Sequence, residues 1–206
     1  MRAFYNPQEF ECLLPIVNNI DIIVREINDN RKDDLLNNYV NDSSSADWQR
    51  KESVTGEWKA AQIYARDAES SFVRPEKEYE EWMKYSQLAP EIFPKTYKHL
   101  KSINEIYRCG ISMVSPGCEI KPHNHTFDKP TLIFQVCLTP SSGRCVLTVG
   151  DEEVAWKTMK QTIMFDGNFV HSLKNDSPDA RTILHIEFDP SCHVDYIWPY
   201  SDRKKK

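Results

Sequence analysis

The chain has 206 residues, a formal net charge of −5, 40% apolar residues and 11% aromatics. That length predicts a single domain over 1–206 with a real buried core, and the composition excludes a disordered chain. The acidic balance excludes the basic face expected of a nucleic-acid binder. The first long apolar stretch, 16–24, is interrupted by Asn18, Asn19 and Asp21, so neither a signal peptide nor a membrane span is predicted.

In chain order, Leu13, Ile16, Val17, Ile20, Ile23, Val24 and Ile27 recur at helical spacing, predicting one or two helices with an apolar face. Residues 38–47 are polar and Ser-rich, which reads as a surface loop. Residues 57–68 fit a strand or a helix equally. Pro75 suits the first position of a helix running to about Leu88. Pro90 and Pro94 then break the chain, with Pro94 starting a second short helix.

After Asn104 the texture changes. Strand-like runs at 106–114, 119–122, 131–138, 144–149, 153–156, 162–165, 169–173 and 182–188 are separated by Pro- and Gly-containing turns. Helices followed by about eight short strands predict an α+β fold: a mainly helical region over 1–104, a jelly-roll core over 105–190 and an extension over 191–206. Of six cysteines, none forms a C-x-x-C pair and four fall in strand-like runs, as in a reduced, cytoplasmic protein. The basic end, Arg203 to Lys206, reads as a solvated tail.

One constellation carries chemistry. His123 and His125 are two apart, and Pro122 favours extended backbone before it, so both imidazoles can share one strand face. His171 follows a turn on a second predicted strand and can join them on one metal ion. Arg181 opens the last strand, with His185 on the same face. An arginine so placed is a clamp for a carboxylate. Isolated His99 and His193 read as ordinary rim or core residues.

The segments Ser112-x-x-x-Pro116-Gly117-x5-His123, Val149-Gly150-Asp151-Glu152, Trp156, Phe165-Asp166-x-x-Phe169-x-His171, Asn175-Asp176 and Arg181 resemble the aspartyl/asparaginyl β-hydroxylase family. Trp58 and Phe93-Pro94-Lys95-Thr96-x-x-x-Leu100 extend the resemblance over roughly 57–190. It implies a cupin-like double-stranded β-helix, Fe(II) and 2-oxoglutarate as cofactors, and molecular oxygen as cosubstrate. The implied substrate is an amino-acid-like small molecule or peptidyl side chain. His123 and His171 match the iron ligands, Arg181 and Ser112 the residues holding the distal carboxylate of 2-oxoglutarate, and Trp58 a pocket-lining tryptophan.

Two departures stand out. Family members carry an arginine nine residues, and a histidine eleven residues, after the first histidine; the chain has Leu132 and Phe134 there. Either His125, Lys121, Arg108 or His185 substitutes, or the cosubstrate differs. Secondly, Gly117-x5-His123-x-His125 and His171-x3-Asn175 are similar to pieces of the cupin motifs. That likeness implies an alternative three-histidine dioxygenase without 2-oxoglutarate. A non-catalytic small-molecule binder on the same barrel is a third possibility.

Overall fold

The computed structural model describes residues 2–39, 54–67, 79–125, 127, 129–193 and 195–198. The predicted helix start at Pro75, most of the Ser-rich loop and the basic tail lie outside these residues. Short 3₁₀ turns at Pro7–Glu9 and Glu11–Leu13 lead into helices α1 (Leu14–Val17) and α2 (Ile20–Asn30); α3 (Tyr79–Ile92) and α4 (Pro94–Lys101) complete the helical layer. On α2, Ile23, Val24 and Ile27 form the buried stripe.

Pro94 occupies the first turn of α4, as expected. The backbone N–H groups of Lys95 and Thr96 donate to the Glu26 carboxylate at 3.1 and 2.7 Å, so α2 caps α4 across the helix pair. Pro90 does not break the chain: α3 continues through it, because Phe93 N–H donates to Ala89 O at 2.8 Å and closes the ladder beyond the proline.

The strands are β1 (Phe4–Tyr5), β2 (Asn37–Asn38), β3 (Val54–Thr55), β4 (Trp58–Ala65), β5 (Ile106–Val114), β6 (Glu119–His123), β7 (Leu132–Thr139), β8 (Cys145–Val149), β9 (Glu152–Ala155), β10 (Thr162–Phe165), β11 (His171–Asn175) and β12 (Arg181–Phe188). They form two antiparallel sheets, ordered β1-β10-β7-β12-β5-β4-β2 and β3-β6-β11-β8-β9. The eight expected strands are present within a residue or two. The ambiguous 57–68 stretch is β4, paired with β5 along its length. The region 1–104 is therefore not simply helical: its four described strands extend both sheets.

The large sheet is the middle layer, which explains why β7 is almost wholly buried. Leu132, Phe134, Val136 and Leu138 face the helical layer with Phe10, Ile16 and Phe93. Ile133 and Cys137 face the small sheet, among Ile120, Leu147 and Phe165. The result is a double-stranded β-helix, or jelly roll, clad by helices on one face.

No spacing hinted at a cystine, yet Cys12 and Cys192, 180 residues apart, are joined as a disulfide that ties the first turns to the C-terminal segment. The other four cysteines are free and buried. No helix among the described residues is long and apolar enough to cross a membrane.

Candidate metal and carboxylate site

Between the sheets lies a cavity with imidazoles on one wall. His123 ends β6 and His171 begins β11, and the two are direct cross-strand partners. His125 lies just beyond β6, its backbone N–H bonded to Gly167 O at 2.8 Å. The three side chains bring ligand atoms within 4.8 Å of one another. His99 and His193 take no part, as expected.

The ring orientations are fixed from behind. His123 Nδ1 lies 2.8 Å from Lys121 O, and His171 Nδ1 lies 2.9 Å from Phe169 O. A carbonyl only accepts, so both Nδ1 atoms carry the proton and both Nε2 lone pairs are left for a ligand. Burial, with the neighbouring His123 adding to it, lowers the His171 pKa to about 3. Burial also lowers His123, and pushes His125 well down. Neutral imidazole is the metal-binding form, so the cluster fits a divalent transition metal.

The turn before His171 packs closely against neighbouring side chains. A Cβ on Gly167 would sit 2.7 Å from Ile133 Cδ1 and 3.0 Å from Phe127 Cε2. This close approach seats the turn against Ile133 of β7 and Phe127.

Arg181 starts β12 and is 2% exposed. Its guanidinium carbon lies 5.5 Å from the Trp156 ring centroid, and its Nε and Nη1 have no hydrogen-bond partner. Burial lowers its pKa, opposed by the thiols of Cys145, Cys137 and Cys118; no carboxylate pairs with it among the described residues. Cys145 pairs with Asn175, at the opposite end of β11 from His171. The guanidinium and the imidazoles thus occupy opposite ends of one cavity. Ser112 and Trp58 also line it, the Trp58 Nε1 donating to Ser112 Oγ at 2.9 Å.

The structure corrects the reading of Leu132 and Phe134. Both face the helical layer, and the side chains of β7 that line the cavity are Ile133 and Gln135. A one-residue difference in the link after His123 inverts the faces of the whole strand. A polar side chain is therefore present on this wall after all. Of the suggested substitutes, Lys121 is exposed, and Arg108 is engaged with Glu187 at 2.6 Å. His125 and His185 do line the cavity.

Sequence reasoning missed Gln135 and Glu187. Glu187 was within reach, because period-two alternation from Arg181 through Ile183 and His185 arrives at it. Its carboxylate lies 3.3 Å from His185 Nε2, and His185 Nδ1 lies 3.2 Å from Gln135 Nε2. Burial alone would raise the Glu187 pKa; the Arg108 guanidinium and the bond to His185 outweigh it and hold the carboxyl well below the usual range.

Among solved structures, the chain is similar to a predicted oxalate decarboxylase from Thermotoga maritima, at 13% identity and TM-score 0.40, over 66% of this chain and 83% of that one. The cupin domain of Schizosaccharomyces pombe Cnp3 shares 12% identity at TM-score 0.39, covering 67% and 69%. A cupin-2 domain from Rhodospirillum rubrum gives 12% and 0.39, covering 74% and 68%. No curated protein sequence matches. The sequence model of the aspartyl/asparaginyl beta-hydroxylases matches residues 18–190, a span that holds all three histidines, Trp58, Ser112 and Arg181. The chain belongs to the aspartyl/asparaginyl beta-hydroxylase family.

Proposed function

We propose that this protein is a non-haem Fe(II)- and 2-oxoglutarate-dependent oxygenase that hydroxylates an amino-acid-like small molecule or a peptidyl side chain. The observation carrying this reading is the pairing of a neutral imidazole cluster with a buried, uncompensated guanidinium in one cavity. An unpaired buried cation is costly, and a dicarboxylate reaching from the metal to Arg181 would neutralise it.

In this reading His123 and His171 would hold the iron through Nε2, with a ring nitrogen of His125 as the third ligand. Arg181, with the Ser112 hydroxyl beside it, holds the far carboxylate of 2-oxoglutarate. Iron and 2-oxoglutarate together supply the activation of molecular oxygen. Ile120, Ile133, Leu147, Phe165 and Ile183 exclude water from the reacting groups. A cytoplasmic location belongs to the same reading; the four free, buried thiols fit it, whereas the Cys12–Cys192 disulfide runs against a fully reduced compartment.

A second reading, a three-histidine dioxygenase that needs no 2-oxoglutarate, is favoured by one feature, the presence of His125 in the cluster. One experiment separates the two. Protein is loaded with Fe(II) without oxygen, 2-oxoglutarate is added, and the visible spectrum is followed before oxygen is admitted. A metal-to-ligand charge-transfer band followed by succinate release is expected. Bound iron with neither band nor succinate would overturn the first reading in favour of the second.

A further inference from the structure

The cysteines fall into two chemically different sets. Cys109, Cys118, Cys137 and Cys145 are free and wholly buried, out of reach of a dissolved thiol or oxidant. Cys12 and Cys192 are half-buried near the surface and joined to each other. A half-buried cystine in a chain whose other thiols stay reduced is the pattern of a bond that exchanges, because only its sulfurs can be attacked from solution.

The bond spans a cleft between two segments. Arg2, Tyr5 and Glu9 line one side of it and His193, Asp195 and Ile197 the other. Across it Tyr5 meets the Tyr196 ring at 6.1 Å and Phe10 meets the His193 ring at 5.0 Å. Beyond Asp189 the C-terminal segment turns on itself: His193 N–H donates to Pro190 O and Tyr196 N–H to His193 O, each at 3.0 Å. The N-terminal segment continues directly into the cavity wall. Strand β1 pairs with β10 through Phe4 with Phe165 and Tyr5 with Met164, and Ala3 O accepts the Asp166 N–H at 3.1 Å. Phe165 lines the cavity, its ring centroid 5.3 Å from that of His171. An edge strand this short has little pairing of its own, so packing against Tyr5 governs how often it frays.

We propose that Cys12–Cys192 is a reversible redox switch. Its reduction frees the C-terminal segment from the N-terminal turns, uncovers Tyr5 and lets β1 fray from β10, which loosens the wall at Phe165. The reductant is a dissolved thiol such as glutathione. One thiolate attacks a sulfur of the cystine, and a second resolves the mixed disulfide. Overall the S–S bond breaks, the two cysteine sulfurs take up two electrons and two protons, and two thiols become one disulfide. The switch acts on the fold whether or not the cavity holds a metal, so it goes beyond the oxygenase reading and does not depend on it.

The test uses the full chain without added metal. In about 10 mM reduced and about 0.1 mM oxidised glutathione the cystine should be mostly open, and with equal thiol and disulfide it should re-form. Alkylation and mass spectrometry read the state of both sulfurs. Amide exchange followed by NMR reads the consequence at Asp166, whose N–H is held by Ala3 O. The part of its exchange that does not respond to dilute urea reports local opening, and it should quicken at least about tenfold in the open form. The amide shifts of β5 and β12 should stay in place, and chymotryptic cleavage after Tyr196 should quicken by a similar factor.

A cystine that stays closed in the first buffer is a structural staple and overturns the switch. So does local exchange at Asp166 that is the same in both forms, or a collapse of the β5 and β12 shifts on opening. In Cys12→Ser, and equally in Cys192→Ser, Asp166 should exchange at the open-form rate in either buffer. A buffer dependence that survives in either variant overturns the assignment to this pair. Should neither variant fold, the two forms of the wild type decide.

Discussion

Arg108 and Glu187 form an ion pair 2.6 Å long on the inner face of the large sheet, with the carboxylate side chain 4% exposed and the guanidinium 22%. The exposures are unequal, and the consequences of breaking the pair are unequal too. Arg108→Met strands a charge that cannot reach water and should cost about 3 kcal/mol of unfolding free energy. Glu187→Gln leaves a guanidinium that is partly solvated and should cost less. Urea unfolding of both single variants and the double variant gives the coupling. A double variant as unstable as the sum of the singles would contradict the pairing.

The metal-free protein should lose stability as pH falls from 6.5 to 5. His171 has a folded pKa of about 3 against an ordinary 6.5. Above 6.5 the ring is neutral in both states and costs nothing. Below it the unfolded chain binds a proton that the folded site refuses, so the native state is progressively disfavoured until the folded pKa is reached. Each such imidazole contributes a slope of up to ~1.4 kcal/mol per pH unit. Glu187 is depressed as well, but its contribution is lost only below the ordinary carboxylate value. The window from 6.5 to 5 therefore isolates the histidines. Urea unfolding after chelation should show a shallower slope in His171→Ala than in the wild type.

The ends of the site were readable because each is marked locally. His123 and His125 follow a proline in an extended run, and His171 follows an Asp-Gly turn. The middle was not readable, because the link between β6 and β7 carries no landmark that fixes the register. Counting from His123 put Leu132 and Phe134 in the cavity, one position away from Ile133 and Gln135. β7 is apolar on both faces, so alternation offered no warning. Strand β4 was ambiguous for a related reason: it is buried on both sides and shows no period of its own. The short strands β1, β2 and β3 have two residues each, and only their sheet partners define them.

The Cys12–Cys192 bond closes most of the chain into one loop. Cross-linking so long a segment restricts the unfolded ensemble, worth about 2–4 kcal/mol. Oxidised protein should therefore melt higher than protein held in reductant, and Cys12→Ser should abolish the difference. Because the bond lies among the first turns and the C-terminal segment, away from the histidines, Cys12→Ser should bind metal with the wild-type stoichiometry. A melting temperature indifferent to reductant would refute the cross-link.

Arg181 sets stability against ligand binding. Its guanidinium is 2% exposed, with Nε and Nη1 unsatisfied, so the ligand-free fold bears the desolvation of a charge without a counter-ion. Arg181→Met fills similar volume without that charge and should stabilise the ligand-free protein by about 1 kcal/mol or more. The same change removes the only carboxylate partner at that end of the cavity among the described residues. Addition of 2-oxoglutarate to metal-loaded protein should then raise the wild-type melting temperature and leave Arg181→Met unmoved, while metal stoichiometry stays the same in both. An Arg181→Met protein that is less stable without ligand would show that the guanidinium is compensated from within the fold, by the surrounding thiols of Cys118, Cys137 and Cys145, and is not waiting for an anion.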